Sequence, residues 1–306
     1  MTPRTPAAAT GVWLPYLLAV LTVLLFAGHT VLGRAVRDDV PPIALVFWRS
    51  MTALAIVTPF VFVQLKAQWR LLVRHWPVMI ALGLSQAVIG QSLLYSGLHT
   101  ATAATTGLLH TTMPMLTILI AWVWLREQPA RLQLIGVAIA SVGVAVIIAR
   151  GSLENLRNLD FVTGDLMVEL AFVSWAFYPI FVTRIPPGAN PFAVFWAMTL
   201  AGGTMTAPLY LGEIVLTDAR IVFDVETILT LLYCGVFASI LALVCLNVAV
   251  ARLGPARAQA AFFLMPVFTA LLGAALLGET LGLYHVVGMA LVVSGVWLTA
   301  RQRARS

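Results

Sequence analysis

The chain has 306 residues, of which 61% are hydrophobic and only 10% charged, against about 25% charged in an ordinary soluble domain. So little polar surface cannot cover a water-soluble fold of this size, and apolar runs of bilayer-spanning length recur throughout, so the composition selects a polytopic membrane protein. The net charge of +6 sits in short loops, where it orients spans; nucleic acid is excluded as a partner and the lipid bilayer is the expected solvent.

Taken in chain order, charged or Pro/Gly-rich breaks divide the sequence into ten predicted spans, near 14–33, 43–64, 76–96, 102–124, 132–149, 165–184, 191–211, 228–250, 256–277 and 283–300. The first run follows Arg4 without a convincing small-residue cleavage site, so it reads as a span and not as a removed signal. Cys234 and Cys245 lie in one apolar run, roughly 16 Å apart along a helix, too far to bridge.

Placing both termini in the cytoplasm puts Arg4, Lys66, Arg70, Arg74, Arg126, Arg131, Arg184, Arg252, Arg257, Arg301, Arg303 and Arg305 inside. Only Arg34, Arg37, Arg150, Arg157 and Arg220 fall outside, with Arg49 within a span. This excess of inside positive charge predicts a multi-pass protein of the cell inner membrane with cytoplasmic ends.

The chain repeats itself. "MPMLTILIAWVWLREQ" from Met113 overlies "MPVFTALLGAALLGET" from Met265, pairing Pro114 with Pro266, Thr117 with Thr269, Leu125 with Leu277 and Glu127 with Glu279 at an offset of 152 residues. The same offset pairs Gly136 with Gly288, Gly143 with Gly295 and Gly83 with Gly235. Nearer the start of each half, "PPIALVFW" and "NPFAVFWA" align at an offset of 149, which also pairs Pro59 with Pro208. The predicted fold is therefore all-α, ten transmembrane helices as two five-helix repeats, residues 1–150 and 151–306. An odd number of spans per unit makes the second copy insert upside down, and inverted repeats serve alternating access around a shared central site.

Two segments of each half carry a family resemblance. They are "TAATTGLLHTTMPMLTILIAWVWLREQP" with "GVAIASVGVAVI", and "RLGPARAQAAFFLMPVFTALLGAALLGETL" with "VVGMALVVSGVWL". On these the chain resembles the EamA-type branch of the drug/metabolite transporter superfamily, nearly end to end. The resemblance implies a ten-helix transporter with a five-plus-five inverted repeat. It points most closely to exporters of amino acids, aromatic ones included, or related metabolites. An importer of a nucleoside- or cofactor-like compound is the alternative within the superfamily, and a membrane enzyme or a non-transporting membrane protein lies further off.

Any lining of a central site must come from the few polar and aromatic residues within the spans. The substrate-binding candidates are His29, Gln86, Gln91, Tyr95, His110, Trp175, Tyr178 and Asn247; Thr111, Ser174 and Ser239 complete the polar content. Gln91 and Tyr95 stand four apart on one stripe of a helix, with Gln86 close to it. Trp175 and Tyr178 offer flat apolar surface to an organic substrate. The coupling or gating candidates are Arg49, Glu169, Glu127 and Glu279. Glu169 lies within a span, where a carboxylate is costly and marks function by default. Arg49 would pair with Glu169 or with a substrate carboxylate. Glu127 and Glu279 close equivalent helices and suit capping of the next helix start. Pro114 and Pro266 remove a backbone donor inside equivalent helices and predict kinks. The glycine pairs at 136, 143, 288 and 295 predict close helix packing. Neither a phosphate-binding glycine loop, a paired Cys/His metal spacing nor a nucleophile elbow occurs. No cofactor, metal or catalytic set is therefore expected; the partners are a small-molecule substrate and lipid, in a monomer or homodimer.

Overall fold

The computed structural model describes residues 10–35, 39–101, 106, 109–149, 152, 154, 157, 162–217, 220–277 and 282–300. Among these, nine helices are long and apolar enough to cross a bilayer, and a tenth, Thr112–Leu125, is apolar but shorter. The helices are α1 (Thr10–Ala35), α2 (Pro42–Arg74), α3 (Trp76–Gly97), α4 (Thr112–Leu125) and α5 (Arg131–Ile148). The second half has α6 (Thr163–Val182), α7 (Pro191–Thr217), α8 (Val225–Leu253), α9 and α10 (Leu283–Ala300). α9 runs from Pro255–Ala260 through a 3-10 turn, Ala261–Leu264, into Met265–Leu277.

Local chemistry sets the helix ends. Asp224 opens α8 by accepting the Thr227 amide at 2.8 Å, and that bond holds its carboxyl below the usual carboxylate range. Asp165 accepts the Val162 amide at 2.8 Å at the start of α6. Asn190 Oδ1 accepts the amides of Phe192 and Ala193 at the start of α7. α2 begins on a proline with no side-chain cap of its own. It is also longer than its apolar run predicts: 33 residues span about 50 Å, more than a bilayer core of about 30 Å, so its polar last turns leave the membrane.

Prolines 114 and 266 sit at comparable places. Pro114 lies in the first turn of α4, just after the turn at His110 and Thr111, and Pro266 follows directly on the 3-10 turn of α9. In both helices the irregular backbone precedes the proline, the side of its missing donor; in α9 the Phe262 carbonyl, four residues before Pro266, is taken by the Met265 amide instead.

The packing follows an approximate two-fold relation between the halves. α1 lies against α8 and α9, and its counterpart α6 lies against α3 and α4; α2 pairs with α7, and α5 with α10. The α5–α10 pair shows why glycine recurs there. A Cβ on Gly143 would stand 2.7 Å from the Gly288 carbonyl oxygen, and one on Gly136 would stand 2.6 Å from that of Gly295, so only hydrogen side chains permit this backbone approach. The lipid-facing surface is studded with exposed apolar side chains such as Phe60, Val123, Val215 and Leu216, as a bilayer solvent requires. The all-helical, two-repeat membrane fold is thus the one expected.

Candidate functional site

Two helices that cross the centre are locally widened into a π conformation. In α3 the π stretch is Leu84–Gln91 and in α8 it is Val236–Leu241; Leu84 and Val236 are equivalent at the 152-residue offset. A π turn bonds each amide to the carbonyl five residues back, which leaves carbonyls open to side chains and marks functional sites more often than chance. Side chains take those carbonyls here. Ser174 Oγ donates to Ser85 O at 3.1 Å while Ser85 Oγ donates to Ser174 O at 2.5 Å, and Trp175 Nε1 donates to Gln86 O at 3.2 Å. In the second bulge Ser239 Oγ donates to Cys234 O at 2.7 Å.

Between the bulges lies a small cavity lined by Arg49, Ser50, Gln86, Ala87, Gln91, Met198, Thr199, Ser239 and Leu243, among others. Four pairs of these are repeat equivalents: Arg49 with Met198 and Ser50 with Thr199 at the 149 offset, Ala87 with Ser239 and Gln91 with Leu243 at the 152 offset. The cavity therefore sits on the pseudo-two-fold axis. Its chemistry breaks the symmetry, because the guanidinium and the carboxamide of Gln91 and the hydroxyl of Ser239 each face an apolar counterpart.

Arg49 is 3% exposed. Its Nε and Nη2 donate to Ser239 Oγ at 3.2 and 2.8 Å, and Nη1 donates to Tyr95 Oη at 3.0 Å. The cation is thus held by one residue from each half, on hydroxyls alone, and among the described residues no carboxylate reaches it. Burying an unpaired charge costs several kcal/mol, so this arrangement is one that a ligand anion would relieve.

A second small cavity adjoins the first through Gln86 and Leu243 and is lined by Phe26, Met113, Trp175, Tyr178, Leu246, Gln259 and Phe262. Phe26 and Trp175 are again equivalent at the 149 offset, as are His29 and Tyr178. Tyr178 Oη donates to Asn247 Oδ1 at 2.7 Å, and the His29 ring stands edge-on to Tyr95 with centroids 5.9 Å apart, so each half sets an α1-type residue against an α3-type residue. Polar atoms without partners gather here: Gln86 Oε1, Asn247 Nδ2 and Gln259 Oε1 are buried and unbonded, while the His29 ring and the Gln91 side chain face each other. Each such group costs about 1–3 kcal/mol unless something bonds it. The two cavities measure about 30 and 20 Å³, far below the ~300–1,000 Å³ of ordinary ligand pockets; the centre is closed up in this conformation.

The expected residues therefore divide. Arg49, Gln86, Gln91, Trp175 and Tyr178 line the two cavities, while Tyr95, His29 and Asn247 stand immediately behind them. His110 packs against Phe172, with centroids 4.2 Å apart, and lies 6.5 Å from the ring of Phe262, so it backs the aromatic wall. Glu169 does not meet Arg49: it is half-buried and accepts a hydrogen bond from Thr112 at 3.1 Å, at the start of α4. Glu127 is exposed just past α4, whose cap, Arg126, adopts a left-handed φ of 58°. Glu279 lies outside the described residues. The lining also includes Ser50, Met198, Thr199 and Gln259, which sequence reasoning passed over. The 149-residue offset is the signal that finds two of them, since it carries Arg49 and Ser50 onto Met198 and Thr199.

The sequence pattern of the EamA-like transporter family matches residues 13–149 and again 162–301. An uncharacterized transporter of Archaeoglobus fulgidus is 23% identical over 94% of this chain and 98% of its own. The uncharacterized transporter YyaM of Bacillus subtilis is 26% identical over 72% of each chain. A probable amino-acid metabolite efflux pump of Salmonella typhimurium is 30% identical over 56% of this chain and 58% of its own. A solved crystal structure superposes with a TM-score of 0.74 over 95% of this chain and 96% of that one, at 18% identity, and so shares the fold. With both five-helix units matched, the chain belongs to the EamA-like transporter family.

Proposed function

We propose that this transporter exports amino acids or related carboxylate-bearing metabolites across the cell inner membrane. In this reading both termini are cytoplasmic, and the units 1–150 and 151–306 rock about the central axis. The observation that carries the reading is Arg49, a buried cation on the pseudo-two-fold axis held by hydroxyls from both halves and by no described carboxylate. A substrate carboxylate would complete its coordination with the bidentate geometry that guanidinium favours. The unbonded oxygens of Gln86 and Gln259 suit a substrate ammonium, and the wall of Phe26, Trp175 and Phe262 suits an apolar side chain. The name of the Salmonella relative agrees with this substrate class.

The test is counterflow in proteoliposomes, with aromatic and branched amino acids compared with the amines that lack their carboxyl group. Amino acids exchange and the amines fail to compete. Losing a carboxylate that neutralises a buried arginine costs on the order of 2–5 kcal/mol, so competition by the amine weakens by about thirtyfold or more. Equal competition by both would remove Arg49 as the substrate anchor.

A further inference from the structure

The ends of α2 and α7 form a second repeat-related pair, and its two copies are in different states. Where α2 begins and α7 ends, the Glu213 carboxylate accepts the amides of Ile43 at 3.0 Å and Ala44 at 2.8 Å. These are free amides of the otherwise uncapped first turn of α2, and a carboxylate on them is favoured by both charge and the helix dipole. Beside this contact Tyr210 stacks on Phe47, with centroids 5.0 Å apart, and accepts a hydrogen bond from Trp48 Nε1 at 3.1 Å. The two helices are fastened at that face of the membrane.

The 149-residue offset carries Ile43, Ala44 and Glu213 onto Phe192, Ala193 and Gln64. At the opposite face this copy of the contact is undone. Gln64 Oε1 is buried without a partner, and the amides of Phe192 and Ala193 are taken locally by Asn190 Oδ1 at 3.0 and 3.2 Å. α2 holds this end one turn further on instead, where Gln68 Oε1 accepts the Asn190 amide at 2.8 Å and Gln68 Nε2 donates to Gly188 O at 3.1 Å, and through Trp196 Nε1, which donates to Thr58 Oγ1 at 2.9 Å. A groove of about 450 Å³ lies between α2, the start of α7 and the π bulge of α8, lined by Val57, Val61, Gln64, Asn190, Phe192 and Val236, among others. Where Val61 leaves this groove open, its counterpart Tyr210 is stacked and hydrogen-bonded.

We propose that Glu213 and Gln64 are the two halves of an alternating clasp between α2 and α7. Resting on the alternating-access reading above, the structure has the Glu213 clasp shut and the Gln64 clasp open. In the opposite state Gln64 Oε1 takes the Phe192 and Ala193 amides from Asn190 and the groove closes, while Glu213 releases Ile43 and Ala44. The halves differ in strength, because a carboxylate acceptor binds amides more firmly than a carboxamide. The chain is therefore biased toward the state seen here, with the Glu213 contact made and the Gln64 contact unmade.

The experiment is spin-label distance measurement on the full chain in nanodiscs, in a C234A/C245A background. One label pair, D39C with V215C, reports the Glu213 end; the other, K66C with R184C, reports the Gln64 end; all four sites are exposed. E213Q weakens one half of the clasp and Q64E strengthens the other, both with near-identical shape. Each is expected to lengthen the first distance and shorten the second together, shifting the population ratio on the order of fivefold toward the opposite state, with a larger shift in the double variant. Unchanged populations in all three variants, or two distances that move independently, would overturn the clasp. Coupled distance changes in a protein that exchanges no amino acid would uphold the clasp and sink the substrate reading, whereas intact exchange with unresponsive distances would do the reverse.

Discussion

Arg49 and Ser239 form the unit on which the residue-scale account turns. Two of the three hydrogen bonds of the guanidinium end on one hydroxyl, which itself donates to the Cys234 carbonyl beside the α8 bulge. Ser239→Ala removes that acceptor and leaves Arg49 held by Tyr95 alone. Hydrogen bonds to charged groups contribute about 1.5–3 kcal/mol, so the KM for carboxylate substrates in proteoliposome uptake is expected to rise about tenfold or more. Ser239→Thr, which keeps the hydroxyl, restores it; an equal loss in both variants would mean that the position matters only for packing. Glu169 belongs to a different contact, the bond from Thr112 at the α4 start. Glu169→Gln still accepts that bond, so uptake is expected to stay within about twofold with and without an imposed pH gradient. If the substitution abolished a response to that gradient, Glu169 would be the proton-coupling group.

At the scale of elements, the glycine faces of α5 and α10 make the sharpest claim. Gly143→Val places a branched side chain where even a Cβ stands 2.7 Å from the Gly288 oxygen, so the helices must part. Overpacking costs typically about 1–3 kcal/mol, and a matching loss of thermal stability in detergent is expected, while Gly212→Ala, with open space around it, leaves stability nearly unchanged. Undiminished stability of the Gly143→Val protein would mean that the two helices do not meet as described. Much of this level was legible in the sequence. Repeat offsets matched the helices of the two halves, and the spacing of glycines 136, 143, 288 and 295 marked a close-packing face, because both are written in residue identity; that α5 and α10 pack on each other was not. The π bulges were not legible, since their residues are ordinary apolar and small ones and the extra residue per turn is decided by what packs against the helix. Nor was the clasp. Hydropathy ended the second span near residue 64 and the seventh near 211, where the structure continues both helices to Arg74 and Thr217, so Gln64 sat at a span's edge and Glu213 read as a loop acid. Of the two partners expected for Arg49, Glu169 or a substrate carboxylate, the first is not met for a geometric reason: both are intramembrane charges, yet Glu169 accepts its bond from Thr112, on the part of α6 that faces α4.

The whole molecule is a duplicated frame with singular chemistry. Equivalent residues from both halves meet at the axis, yet the cation, the carboxamide of Gln91 and the hydroxyl of Ser239 each lack a like counterpart there, so on the proposed function the frame would supply symmetry of motion and the side chains the recognition of one substrate. Two closed cavities of tens of cubic ångströms at the centre fit a state in which the central position is sealed, and the groove of about 450 Å³ between α2, α7 and α8 shares no lining residue with them. Alternating access requires that the same central position be reached in turn from both sides. Thr199, which lines the central cavity opposite its repeat partner Ser50, is the place to ask. In a C234A/C245A/T199C protein reconstituted in vesicles, a membrane-impermeant thiol reagent is expected to modify the single introduced thiol when supplied from either side, with substrate protecting it from both. Modification from one side alone, or from neither, would contradict the account.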